Sequence, residues 1–263
     1  MKERKKIVIA VDFDGVIIDS LRESFLQSVT AYTAMGGNVI GSSKNEKKFR
    51  DAKFLTKGAD SYYTIFRLIQ QNKDVNFSKM SPAQFQAELR RDAGKVSADF
   101  ENRFYANRAA MRQEHEAYWL SLHSVSPRIK KWFARLQSDP NNSVWIATGK
   151  DFESCKKLLE MNGIKFAPEK IVSKEISKSK AKQIDIIANR EGVTTSSVVH
   201  FDDSLTYLQE TMGIGAKPVL VGWGPGGKRA VKEARRAGIK SIRKPWPFGI
   251  SRGTKKILRQ MRS

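Results

Sequence analysis

Four short runs of apolar, mostly β-branched residues punctuate the chain at positions 7–11, 144–147, 198–201 and 219–221, each closed by a polar or glycine-containing cluster. Runs that are apolar throughout, rather than alternating, predict strands covered on both faces, as in a parallel sheet. The segments between the later runs have helical period. In 152–162, Leu158, Leu159 and Met161 gather on one side and Gly163 follows as a C-cap. Residues 181–190 repeat the pattern with Ile184, Ile187 and Ala188 and stop before Gly192, and a further helix over 228–237 stops at Gly238. Strand alternating with helix implies right-handed crossovers and a doubly wound, Rossmann-like α/β core.

The alternation is interrupted once. From about 20 to 125 there is little strand signal, while apolar residues recur at helical spacing in Tyr62, Ile65, Phe66 and Ile69, and again in Phe100, Phe104, Met111, Tyr118 and Leu122. This predicts a helical insertion, with the Gly-, Ser-, Asn- and Lys-rich stretch 36–48 as a loop inside it. The expected organisation is a core formed by 1–19 and 126–244, an inserted α-helical domain over 20–125, and a basic carboxyl-terminal tail over 245–263.

Composition narrows the setting. With 263 residues and 40% apolar side chains, the chain is long enough to bury a sizeable core. No apolar run reaches membrane-spanning length and the amino end lacks a signal-peptide pattern, so a cytoplasmic protein is expected. A single cysteine, Cys155, excludes an intramolecular disulfide or a cysteine-based zinc site, leaving oxygen ligands for any metal. The formal charge of +21 is concentrated at the carboxyl end, where residues 228–263 hold 13 Lys or Arg against one acid, Glu233. Polyanions are plausible partners for such a segment. In the tail, Arg252, Lys255, Lys256, Arg259 and Arg262 lie beside Trp246 and Phe248, a mixture suited to single-stranded nucleic acid or an anionic surface, or simply to a solvated terminus.

The candidate chemistry sits where the predicted strands end. Asp12 and Asp14, in Val11-Asp12-Phe13-Asp14-Gly15-Val16, follow the first run, at the sheet edge that faces the ligand crevice in such folds. Spaced this way, Asp12 can attack a phosphorus centre while Asp14 exchanges protons with the leaving oxygen and water. A calcium loop also opens with D-x-D, and Glu23 stands at its twelfth position, but that loop requires a preceding helix and here a strand precedes. Asp202 and Asp203 follow the run 198–201; adjacent carboxylates suit a hard divalent ion such as Mg²⁺, or Asp202-Asp203-Ser204 caps the next helix. Thr148-Gly149-Lys150 closes the run 144–147, offering a hydroxyl and backbone amides to phosphoryl oxygens. Lys174, Lys178 and Lys180 precede the helix leading to Asp202, and each is a candidate to neutralise the phosphate. The glycine-rich stretch 222–228 lacks the G-x-G-x-x-G order and reads as a strand-to-helix connection. His115, His123 and His200 have no ligand spacing.

Taken in order, these four motifs resemble those of the haloacid dehalogenase superfamily, and the Asp19-Ser20 pair after Asp-Gly-Val-Ile-Ile is similar to its phosphoglycolate-phosphatase-like subgroup. The resemblance implies a Rossmann-like core with a helical cap and a phosphoryl-aspartate on Asp12, with Asp14 as acid and base. It also implies phosphate held by Thr148, Gly149 and Lys180 or Lys178, and Mg²⁺ bound by Asp12, the main-chain carbonyl of Asp14, and Asp203 with Asp202 assisting. Relatives often carry a further acid where Tyr207 stands, and a Lys-Pro in the third motif that is absent here. The expectation is a Mg²⁺-dependent phosphatase acting on a small phosphorylated substrate. The alternatives are a nucleotide or polynucleotide phosphatase using the basic surface, and a nucleic-acid-binding protein of little turnover.

Overall fold

The computed structural model describes residues 6–242 and 253–258. The chain divides into two compact units, one formed by Met1–Asp19 with Ser124–Ser263 and the other by Ser20–His123.

The first unit is built on six strands, β1 (Ile7–Val11), β2 (Asn142–Ala147), β3 (Ile171–Val172), β4 (Val198–Asp202), β5 (Lys217–Val221) and β6 (Lys240–Ile242). They form one sheet in the order β3-β2-β1-β4-β5-β6, and every neighbouring pair is parallel. β1 lies in the middle, so its residues are buried on both faces, which is why its sequence is apolar without alternation. Chain order runs outward from β1 through β2 to β3 and then resumes on its other side at β4. That reversal opens the crevice at the carboxyl ends of β1, β2 and β4.

The second unit is all helix: α1 (Leu21–Ala34), α2 (Ser43–Lys53), α3 (Tyr62–Gln71), α4 (Pro82–Asp92), α5 (Lys95–Glu114) and α6 (Glu116–Ser121). Its centre is aromatic, with the rings of Phe25, Phe49 and Phe66 mutually 5.8–6.0 Å apart. One sequence expectation changes here. Residues 43–48 are helical rather than loop, because Ser42 caps α2 by accepting from the Asn45 amide, while only Phe49 and Ala52 of this polar helix are buried. The apolar series from Phe100 to Leu122 is helical as its spacing predicts and spans two helices, with a break at His115 (φ −135°) between α5 and α6; Tyr118 is exposed. A buried ion pair ties α1 to α5, Arg108 donating to both oxygens of Glu23 at 2.7 Å.

The first unit is completed by α7 (Pro127–Ser138), α8 (Phe152–Met161), α9 (Lys180–Arg190), α10 (Leu205–Gly213) and α11 (Gly227–Arg236). Ile184, Ile187 and Ala188 of α9 pack with Val8, Ala10 and Trp145, closing one face of the sheet. On the other side Trp132 of α7 meets Phe201 and Trp223 edge to face, and its indole donates to Thr254 at 3.0 Å. Residues 253–258 are helical, with Ile257 and Leu258 buried and Lys255 and Lys256 exposed. Of the expected basic tail, Trp246, Phe248, Arg252, Arg259 and Arg262 lie outside the described residues. Gly163, Gly192 and Gly238 all have positive φ just beyond α8, α9 and α11, the left-handed ends expected from their placement in the sequence. Among the described residues, no helix is long and apolar enough to cross a membrane.

Candidate active site

The pairing of β1 with β4 continues past the strand, the Asp12 amide donating to the Phe201 carbonyl at 2.8 Å, so Asp12 leaves the sheet beside the end of β4. After Asp14 the chain folds back: Gly15, at φ +82°, donates to the Ile18 carbonyl at 2.7 Å. β4 ends on Asp202, and the carboxylates of Asp12, Asp202 and Asp203 each present an oxygen within 4.8 Å of the others.

Two buried lysines face this cluster. Lys180, the first residue of α9, places its ammonium 2.6 Å from Asp12 Oδ1 and 3.6 Å from Asp202 Oδ2, and also donates to the Ala147 carbonyl. The turn ahead of it is well fixed. Ser179 caps α9 by accepting from the Lys182 amide, while Glu210 accepts from the Ser179 hydroxyl at 2.7 Å and the Ala181 amide at 3.0 Å. Of the lysines open from sequence, Lys180 is thus the one at Asp12; Lys178 is exposed and Lys174 half-buried.

The second lysine, Lys150, ends the Thr148-Gly149-Lys150 motif, where the sequence alone gives its side chain no role. It is 1% exposed, and its ammonium lies 3.1 and 3.4 Å from the two oxygens of Asp14. Its amide donates to the Thr148 hydroxyl oxygen at 3.0 Å, leaving the Thr148 O–H to donate elsewhere. Gln183 donates to the carbonyls of Thr148 and Ser177, both at 2.7 Å, binding the end of β2 to the approach to α9. Gly149 is exposed, and a β-carbon there would meet nothing within 4 Å.

Asp203 is held by glycine. A β-carbon on Gly15 would lie 2.5 Å from an Asp203 carboxylate oxygen, and one on Gly224 would lie 2.4 Å from the Asp203 β-carbon. Gly224 therefore belongs to the site, through the same stretch that reads in sequence as a plain connection. Trp223 secures that stretch by donating to the Val16 carbonyl at 3.0 Å.

Burial pushes the Asp12 carboxyl up to about 7 against the pull of Lys180, with Asp202 and Asp14 adding to the rise. Burial also works to raise Asp202, but Lys180, His200 and the Ser204 amide outweigh it and hold that carboxyl below the usual range. Burial would likewise lower Lys180, yet Asp12 and Asp202 keep its ammonium above the ordinary lysine value. Burial lowers His200, which its contact with Asp202 does not reverse, so the imidazole adds no charge at neutral pH. Lys150 pairs with Asp14 and Lys180 with Asp12 and Asp202, while the oxygens of Asp12, Asp202 and Asp203 converge within 4.8 Å. Asp202 Oδ2 is buried and makes no aligned hydrogen bond, although His200 Nε2 is 3.2 Å away. Three converging carboxylate oxygens, an Asp12 carboxyl raised by burial and by its acidic neighbours, and a buried oxygen with no aligned hydrogen bond suit a hard divalent cation. Cys155 is buried and its thiol is pushed well above the ordinary value by desolvation, which leaves it unreactive.

The family model for haloacid dehalogenase-like hydrolases matches residues 8–209. Among solved structures, a predicted phosphatase from Clostridium acetobutylicum superposes with a TM-score of 0.61 at 15% identity, covering 97% of this chain and 99% of that one. A haloacid dehalogenase-like family protein from Streptococcus pneumoniae gives 0.59 at 12% identity, covering 97% and 98%. A predicted phosphoglycolate phosphatase from Haemophilus somnus gives 0.53 at 14% identity, covering 85% and 88%. At such identities these structures share the fold. No curated protein sequence matches the chain.

Proposed function

Because the chain belongs to the haloacid dehalogenase-like hydrolases, we propose that it is a Mg²⁺-dependent phosphatase that cleaves a phosphomonoester through a phosphoryl-aspartate on Asp12. The observation carrying this reading is the convergence on Asp12: an ammonium at 2.6 Å and two further carboxylates within 4.8 Å, at the carboxyl edge of the central strand. The names of the structural neighbours in Clostridium acetobutylicum and Haemophilus somnus point the same way. Asp12, Asp202 and Asp203 would hold the Mg²⁺, with the Asp14 carbonyl as the resemblance implies. When bound, the ion supplies screening of the repulsion between the Asp12 carboxylate and an incoming phosphate.

In the first step an Asp12 oxygen forms a bond to phosphorus as the ester P–O bond breaks, and Asp14 delivers its proton to the departing alkoxide. In the second step Asp14 takes a proton from water, whose oxygen attacks phosphorus. The Asp12–phosphorus link breaks and inorganic phosphate leaves. Lys180 and the Thr148 hydroxyl hold the non-reacting oxygens, and Lys150 fixes the direction of Asp14. In this reading the inserted helical unit is a cap that governs access. Replacing Asp12 by Asn should abolish turnover of an aryl phosphate while the melting transition stays cooperative; turnover surviving in Asp12→Asn overturns the mechanism.

A further inference from the structure

Helix α11 carries a feature that the hydrolase chemistry does not use. Lys228, Lys232, Arg235 and Arg236 are all exposed, at helical positions i, i+4, i+7 and i+8, so they form one stripe rather than a ring. From Lys228 to Arg236 this is four cations in little more than two turns, over about 12 Å. Lys228, Lys232 and Arg235 take part in no ion pair among the described residues, and Arg236 meets only the neighbouring Glu233 at 2.8 Å. Lys255 and Lys256, on the helical turn 253–258 whose first residue lies against Ile242 of β6, are exposed as well.

The partner's chemistry follows from what the stripe contains and what it omits. The apolar residues of α11, Ala230, Val231 and Ala234, are buried against the sheet, so the outward face has no side chain to insert among lipid tails, as an interfacial membrane helix requires. A row of cations extended over several turns also exceeds the reach of a single phosphate. It matches a polymer with a regular array of anionic groups, and the two guanidinium forks suit phosphate oxygens in particular.

We propose that the outer face of α11 is a docking surface for the phosphate backbone of a nucleic acid, without selection among bases. The proposal stands independently of the phosphatase reading. With four phosphates neutralised on a single strand, the logarithm of affinity should fall with that of salt at a slope of about −3, a loss of roughly 50-fold between about 50 and 200 mM.

The test is fluorescence anisotropy of a labelled mixed-sequence oligonucleotide with the full chain, across a salt series. The comparison is with the variant Lys228→Gln, Lys232→Gln, Arg235→Gln, Arg236→Gln. The wild type should bind with the stated slope, and the variant should lose at least tenfold in affinity and most of the slope. It should keep the wild-type melting transition and the wild-type rate on an aryl phosphate, since none of the four residues belongs to the candidate active site. Absence of oligonucleotide binding, or equal binding by the variant, overturns the proposal. So does equal or tighter binding to phosphatidylserine vesicles or to polyglutamate.

Discussion

Replacing Gly224 by Ala tests the construction of the site without touching any of its charged groups. The added carbon would lie 2.4 Å from the β-carbon and 2.5 Å from a carboxylate oxygen of Asp203. Ordinary contact begins near 3.4 Å, so relief requires a displacement of about 1 Å. Gly224 is not in the left-handed region, so the cost is steric alone. The loop resists moving because the Trp223 indole is bonded to Val16 and Pro225 follows directly, so Asp203 is the group that yields. Metal coordination tolerates only about 0.2 Å, and disturbing the support of a metal ligand costs about 10- to 100-fold in affinity, or roughly 1.4 to 2.8 kcal/mol. Titration calorimetry with Mg²⁺ or Mn²⁺ would read that loss. Gly149→Ala, which adds the same atom to open space, should bind the ion as the wild type does. Gly224→Ala protein that binds the ion with unchanged affinity would refute the placement of Asp203 in a metal centre.

Two further outcomes follow from the charges. The Asp12 carboxyl sits at about 7 in the folded protein against 3.8 ordinarily, so between those values the folded state holds a proton that the unfolded chain has released. Stability should therefore decline as pH rises from about 4 to 7 in the presence of a chelator, by more in the wild type than in Asp12→Asn, and added Mg²⁺ should offset the decline. Parallel melting curves of the two proteins across that range would exclude the buried, underneutralised Asp12. Lys150→Met should lower kcat on an aryl phosphate by about 10- to 100-fold with little change in KM, because it removes the cation that directs Asp14, whose proton transfers are worth about 10²- to 10⁴-fold. An unchanged kcat would remove Lys150 from the chemistry.

How far the sequence discloses these features depends on whether neighbours in the chain or neighbours in space create them. β1, β2, β4 and β5 are visible because strands covered on both faces are apolar without interruption. β3 has two residues and β6 three, with Lys240 exposed at the sheet edge, so neither leaves a periodic trace. α2 is hidden for the opposite reason, since a helix that buries only Phe49 and Ala52 shows too little apolar period. Asp12, Asp14, Asp202 and Asp203 stand out because acids directly after apolar strands are conspicuous. Lys150 and Gly224 do not. A buried lysine reads like a surface one until its partner Asp14 is placed, and the role of Gly224 exists only through Asp203. The proline and the glycine order around Gly224 exclude a nucleotide loop, and that exclusion hides its service to a carboxylate. The start of the helix at Lys-Ala-Lys-Gln-Ile favours Lys180 in the sequence while spacing keeps Lys178 open, and they separate when the start of α9 turns one inward and the other out.

The route by which the helical unit enters and leaves the sheet has a further consequence. Asp19 and Ser124 lie side by side as a short antiparallel bridge, each amide donating to the other's carbonyl, at 2.8 and 3.0 Å. The excursion thus departs and returns through a single doorway. Because Asp19 and Ser124 are pinned to each other, the length of chain carried between them can change without moving either end.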